Sequence, residues 1–220
     1  MPKFELNKTA IQFIEELIES GSDNKLRGKL RDFHYADIAE IINELNSNQA
    51  TYLIKLLESD KTADALAEVD EDIREGILEN LSSKEIAKEI EELDTDDAAD
   101  LIGELPEERQ ERVMSQITDS DHLEDIKELL SYDEDKAGGL MAKELVKVEE
   151  GLSVLKCLNA MRAQAEEVTR VHSIYVVDEN NVLKGRLSLK DLITANSRAI
   201  VKDIYIPKVD YVTVNQRGEE

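Results

Sequence analysis

Between His34 and Ile117 the chain divides without a gap into seven blocks of twelve residues: HYADIAEIINEL, NSNQATYLIKLL, ESDKTADALAEV, DEDIREGILENL, SSKEIAKEIEEL, DTDDAADLIGEL and PEERQERVMSQI. Every block ends on an apolar residue (Leu45, Leu57, Val69, Leu81, Leu93, Leu105, Ile117). Positions eight and nine are also apolar, with Glu89 the one break. That spacing puts eight, nine and twelve on one helical face. Asn46, Asp70, Ser82 and Asp94 open their blocks as helix-start residues, and Ser82 with Glu85 reads as a capping box. Pro106 belongs in a first helical turn, where its missing N–H costs nothing. Each block therefore predicts a helix of roughly nine residues and a tight turn. Helices so short are marginal alone, so each must stack on the next, and the whole is a superhelix whose hand the period leaves open. A coiled coil is excluded, since the period is twelve with breaks instead of seven without. Such a stack is either an inert scaffold or a binding surface.

Amphipathic helices are expected before the repeat, at Lys8–Ser20 and Lys25–Asp32, and after it, at Ser120–Tyr132. Charge separates this region from the rest of the chain. Residues 1–136 carry 15 Lys/Arg against 38 Asp/Glu, whereas residues 137–220 carry 12 of each. All of the net charge of −23 thus falls in the first part. An acidic domain attracts cations and basic partners and repels phosphates, so nucleic acid is excluded as a partner. Cys157 is the single cysteine, and His34, His122 and His172 stand apart with no second ligand at metal spacing. Structural zinc and internal disulfides are ruled out, and a reducing compartment fits. The start MPKFELNKTA has no signal-peptide character, and no stretch approaches the ~18–20 apolar residues of a membrane-spanning helix.

From Ala137 the pattern changes. The Gly pair in AGGLM requires a turn or a close backbone approach. Next come an extended piece (LVKVEEG), a helix (Val154–Glu166), an apolar β-branched strand (SIYVVD), a turn at Glu179-Asn180-Asn181, a strand (Val182–Leu187) and a helix (Leu189–Ala195). This β-α-β-β-α order predicts a small α/β unit. The fold class is mainly α: a helical superhelix of about twelve residues per unit, followed by that α/β module.

The stretch IYVVDENNVLKGRLSLKDLI resembles the second half of a CBS domain, with Gly185, Ser188 and Asp191 at the three positions of G-x-x-S-x-x-D. In CBS modules the Ser/Thr and Asp contact an adenosine nucleotide such as ATP, so the resemblance offers Ser188 and Asp191 as nucleotide-binding residues. Read physically, the same pair is an N-cap and its N3 acid. VKDIYIPKVDYVTV resembles the entry of a second CBS repeat, here read as truncated. The expected domains are 1–132, the acidic helical domain; 133–200, the first CBS domain; and 201–220, the start of the second repeat.

ELDTDDAADLIGELPEE and YDEDKAGGLM, in front of a CBS module, resemble the MgtE family of magnesium transporters. The resemblance implies a regulatory part at the cytoplasmic face of the cell membrane, homodimeric through its CBS domains. It would bind Mg2+ at acidic interfaces and close a transmembrane pore domain of the same parent chain. Asp96 and Asp100, four apart on one helical face, match the acids that the family offers to magnesium. Asp97 lies three residues before Asp100, Asp94 takes the N-cap, and Asp64 holds the block position of Asp100 further back. First-turn acids also stabilise a helix dipole while fully solvated. The acidic run Asp133–Asp135 reads as a solvated linker. No pocket or nucleophile accompanies the carboxylates, so an enzyme is not expected. Two rivals remain: a nucleotide-sensing CBS regulator, and a helical-repeat interaction scaffold like the flagellar motor switch protein.

Overall fold

The computed structural model describes residues 7–57, 60–165, 168, 171 and 173–219; His172, the end of the helix expected to reach Glu166, and the start of the third block lie outside them. The chain separates into two compact units, Met1–Ser131 and Tyr132–Glu220.

Among the described residues the first unit contains ten helices: α1 (Lys8–Glu19), α2 (Asp23–Leu30), α3 (Tyr35–Asn43), α4 (Ser47–Leu57), α5 (Asp60–Glu68), α6 (Glu71–Asn80), α7 (Ser83–Ile90), α8 (Thr95–Gly103), α9 (Glu107–Met114) and α10 (Ser120–Leu129). The seven blocks become α3 to α9, one helix each. Their apolar face is the core: Ile41, Ile42, Leu53, Ile54, Leu66, Ile77, Leu78, Ile90, Ile102 and Val113 are all almost fully buried. Burying each such side chain stabilises the unit by about 1.5–3 kcal/mol. Leu57 is only half-buried, because α4 runs on through it and turns Leu56 inward instead. Glu89, the exception to the pattern, is buried all the same. Pro106 stands at the N-cap, one residue ahead of the expected first turn.

Stacking skips a neighbour. α3 packs on α5, α4 on α6, α5 on α7, α7 on α9 and α8 on α10. The expectation that each helix stacks chiefly on the next is corrected accordingly: the tight turns carry the chain across to the other row. Positions five and six supply the small residues this needs, with Ala50, Thr51, Thr62, Ala63, Ala98 and Ala99 buried. In two blocks position five is a long polar side chain instead. Arg74 donates to the carbonyls of Ala67 (2.7 Å) and Val69 (2.9 Å). Gln110 donates to that of Leu105 (2.8 Å). Helix ends are also tied three helices apart. Lys61 of α5 donates to Arg31 and Phe33 after α2, Arg109 of α9 to the carbonyl of Leu81 after α6, and His122 of α10 to Ile90 at the end of α7. Arg74 pairs with Glu104 across α6 and the end of α8.

Caps hold the starts. Ser82 and Glu85 form the expected box, with Ser82 N–H and hydroxyl both donating to Glu85 at 2.7 Å. These bonds and Lys55 hold the Glu85 carboxyl down at about 2. His34 and Asp37 form a second box that sequence reading does not find, because histidine is an uncommon N-cap.

The second unit contains β1 (Val146–Glu149), α11 (Val154–Gln164), β2 (Ile174–Val177), β3 (Leu183–Leu187) and α12 (Leu189–Thr194), then a 3-10 turn at Val201–Asp203. β2 is central, parallel to β1 and antiparallel to β3. The core of this unit is Val146, Val148, Val154, Cys157, Ile174, Val176, Leu187, Leu192 and Val201. Gly185 on β3 is required by a close approach: a Cβ there would sit 2.2 Å from the Ile206 carbonyl oxygen and 2.5 Å from the Tyr205 ring. Residues 205–206 lie along β3, where Arg186 and Ile206 exchange both backbone bonds (3.0 and 2.8 Å). Asn181 takes a left-handed φ of 60° at the β2–β3 turn, and Asp178 ties that turn by accepting from the N–H groups of Asn180 and Val182.

Replacing Gly185 with Ala is expected to cost about 1–3 kcal/mol, the usual range for forced overpacking. Urea unfolding monitored in the α/β unit checks this, and an unchanged midpoint would show that the 205–206 segment can move away freely.

Candidate functional site

The acids of interest gather around the start of α8. Asp94 occupies the N-cap position with extended backbone, yet its side chain accepts no capping hydrogen bond. Asp96 and Asp97 follow in the first turn, where carboxylates interact favourably with the helix dipole. Asp100 lies one turn on, and buried Thr95, Ala98 and Ala99 anchor the opposite face. Asp64 comes from α5, thirty-odd residues earlier in the chain.

The fold brings these side chains into one electrostatic neighbourhood. The Asp97 carboxyl is pushed up to about 6, first by loss of solvation and then by the charges of Asp96, Asp94, Asp100 and Asp64. By surface area its side chain is exposed, so the solvation loss is partial. The like-charge field is the part that a nearby cation relieves. All four acids singled out from the sequence thus contribute to one field, and so does Asp94, which sequence reading assigns only to capping. Among the described residues, no three Asp, Glu, His or Cys side chains stand close enough to chelate a single ion. The donor set is carboxylate oxygen alone, suited to a hard divalent cation that keeps its water shell. Magnesium behaves in this way, holding several waters and taking one or two carboxylates.

The motif of the α/β unit resolves differently. Ser188 is the N-cap of α12, its hydroxyl accepting the Asp191 N–H (3.0 Å) and donating to Asp191 Oδ2 (2.6 Å). The two residues satisfy each other, and any ligand reaching them must displace that bond or use the second carboxylate oxygen. Gly185 serves the close backbone approach described above.

The acidic run beyond α10 is only partly a linker. Asp135 pairs with Arg217 (3.1 Å) and Lys136 (3.7 Å), and its carbonyl accepts the Gly218 N–H. No helix among the described residues is long and apolar enough to cross a membrane.

Residues 33–135 match the family model of the MgtE intracellular N domain, and residues 137–198 that of the CBS domain. The crystal structure of the cytosolic domain of the Mg2+ channel MgtE in complex with ATP aligns over 95% of this chain and 85% of its own, with 32% identity and a TM-score of 0.86. This chain belongs to the MgtE family. The soluble part of a magnesium transporter aligns at TM-score 0.81 with 26% identity, covering 95% of this chain and 82% of that structure. The magnesium transporter MgtE of Thermus thermophilus is 48% identical over 89 residues, 40% of this chain. That of Enterococcus faecalis is 31% identical over 91 residues, 41% of this chain. Each match takes in 20% of the relative, so the chain spans about a fifth of the length of the curated relatives it matches.

The raised carboxyl of this MgtE chain has a sign that can be checked. An acid whose folded pKa lies above its unfolded value, here about 6 against 3.8, keeps its proton longer when folded. Stability is therefore lost as pH rises from about 4 to about 6. Asp97→Asn is expected to remove that loss and to raise the unfolding midpoint at pH 7. Carbon-detected titration of the Asp97 carboxyl should place its midpoint near 6; a value near 4 would mean that neither lost solvation nor the neighbouring acids act on it.

Proposed function

We propose that these residues form the magnesium-sensing regulatory region of a magnesium transporter or channel, with no enzymatic step of their own. The observation that carries this reading is the shared field of Asp64, Asp94, Asp96, Asp97 and Asp100. Unit charges about 4 Å apart near a protein surface repel by roughly 4 kcal/mol. A hydrated divalent ion placed among them turns repulsion into attraction. At low magnesium the acids repel and the acidic unit is loosened; at high magnesium they are neutralised and it tightens. Weak sites that share the waters of the ion respond to changes in a millimolar pool, as a sensor of cytosolic magnesium must.

In the parent protein this change would close a transmembrane pore at the cytoplasmic face of the cell membrane, with the regulatory regions paired as a homodimer through their CBS domains. The domain boundaries follow the same reading: 1–132 as the acidic sensor, 133–200 as the first CBS domain, and 201–220 as the start of the second. Asp96 and Asp100 are proposed as the principal magnesium contacts, Asp97 and Asp64 as contributors.

A second reading is favoured by one observation, the ATP complex of the similar cytosolic domain. Ser188 and Asp191 would then contact an adenosine nucleotide, with Asp191 acting through the oxygen that Ser188 leaves open.

Thermal unfolding tests both. Magnesium at ten times its half-saturating level is expected to stabilise the chain by about 1.4 kcal/mol, a rise of a few degrees in Tm. Asp96→Ala combined with Asp100→Ala should abolish the rise, and a parent-like response in that variant would sink the assignment. A rise with ATP in the absence of magnesium, lost in Asp191→Ala, would establish the second reading instead.

A further inference from the structure

Four of the 15 cations in residues 1–136 fall within one short stretch, Lys25, Arg27, Lys29 and Arg31, on α2 and its C-cap. All four are exposed, and Arg31 leans on its neighbour Asp32 (3.6 Å). Cations in a last turn favour the helix dipole, which accounts for Arg27 and Lys29 but not for the surface between them. Leu26 and Leu30 are buried and fix the inner side of α2. Gly28, two residues from each, therefore stands at the outermost point of the helix. A Cβ there would meet nothing within 4 Å, so among the described residues no packing requires a glycine. Glycine in a helix interior costs stability. What it provides is a bare crest of backbone between Lys25 and Arg31, where a second helix can come closer than over any side chain.

The same row of helices carries the complement. α4 packs on α2 at one side and on α6 at the other. Tyr52 of α4 donates to the Asp23 carboxylate of α2. Gly76 of α6 makes room for Ser47, whose Oγ a Cβ would meet at 2.5 Å. Along the outside of α6 run Glu71, Glu75 and Glu79, all exposed and four residues apart. Lys25 with Lys29, and Arg27 with Arg31, repeat at the same step, so the two helices can meet charge for charge. Arg74, the cation of α6, is turned inward to Glu104 and two carbonyls. On α4, between them, the exposed Lys55 is already paired with Glu85 (2.9 Å). The row therefore runs from basic through neutral to acidic. We propose that it docks on the same row of a second copy, α2 of each on α6 of the other, about a twofold axis at α4. Such a surface is self-complementary, as an isologous contact requires. The net charge of −23 on each copy opposes approach at long range. At about 0.15 M salt, however, a screening length of ~8 Å leaves the facing groups to decide. Three short helices bury less than about 1,200 Å2, so the contact is weak and governed by charge. Where two copies are already held together, an effective concentration of about millimolar lets it form.

Cross-linking of the full chain tests this. Equal amounts of light and heavy-nitrogen protein, with a chelator present, are treated with a carbodiimide, which joins a lysine to a carboxylate in contact with it. Mass spectrometry then identifies bonds between copies as peptides of mixed isotope. Bonds from Lys25 or Lys29 of one copy to Glu71, Glu75 or Glu79 of the other are expected. They should fall about fivefold as salt rises from about 0.1 M to about 1 M. Glu75→Lys with Glu79→Lys should abolish them, and adding Lys25→Glu with Lys29→Glu should restore them with the signs reversed. Gly28→Gln is expected to raise Tm, since a better helix former replaces glycine, yet to reduce the bonds about tenfold by blocking the approach. Parent-like cross-linking in Gly28→Gln overturns the proposal, as do bonds spread over the acids of the chain without preference for α6. Binding to phosphatidylglycerol vesicles that is lost in Lys25→Glu with Lys29→Glu, while no bond between copies forms, would make α2 a lipid-facing surface and overturn it as well. Should the fourfold variant not fold, the salt and Gly28→Gln responses decide, and either one unchanged sinks the proposal.

Discussion

A helix of eight to eleven residues leaves four N–H groups and four carbonyls without partners inside itself, nearly as many as it satisfies. Seven such helices in a row could not persist unless something outside each helix met its ends. In this chain the ends are met by other repeats. Lys61, Arg109 and His122 each reach the carbonyl end of a helix three earlier, and Arg74 and Gln110 reach back to the helix just before. The faces meanwhile pack on the helix two away. Face and end contacts of different step thus tie α5, α6, α9 and α10 each to more than one other helix. Among the described residues no buried side-chain polar atom lacks a partner.

The period is legible in the sequence because it depends on the largest apolar residues, whose burial is nearly obligatory. The stacking pattern is not. It depends on Ala50, Ala63, Ala98 and Thr62, small side chains that a hydrophobic pattern treats as neutral. The end-capping donors are equally hidden, since a long cation such as Arg109 looks like any solvated surface residue until its distant carbonyl is known. The same limit applies to the α/β unit. Ser188 and Asp191 announce a cap through their three-residue spacing, whereas Asp135 and Arg217 lie 82 residues apart and nothing local connects them. Gly185 stands out through a motif, but its physical reason, the Ile206 backbone pressed against it, becomes visible only in three dimensions.

The acidic site divides along the same line. Asp96, Asp97 and Asp100 can be grouped from helical spacing, and Asp64 from its equivalent place in an earlier block. Their mutual effect cannot, because it requires α5 and the start of α8 to be close. Asp94 shows the cost of assigning one role per residue: expected as a cap, it makes no capping bond and adds its charge to the others. A helix start that would ordinarily favour negative charge here carries several acids, and Asp97, partly desolvated and next to those charges, holds its proton to about 6.

The uneven charge of the chain has a broader consequence. With 38 acids against 15 bases in its first 136 residues, the helical part is in effect a short polyelectrolyte, accompanied everywhere by its own cloud of small cations. No ion approaches it as if from pure water. A divalent ion that settles there displaces monovalent ions already condensed, and their release is part of what drives it. The apparent affinity of this region for any divalent cation must therefore fall as the monovalent salt around it rises.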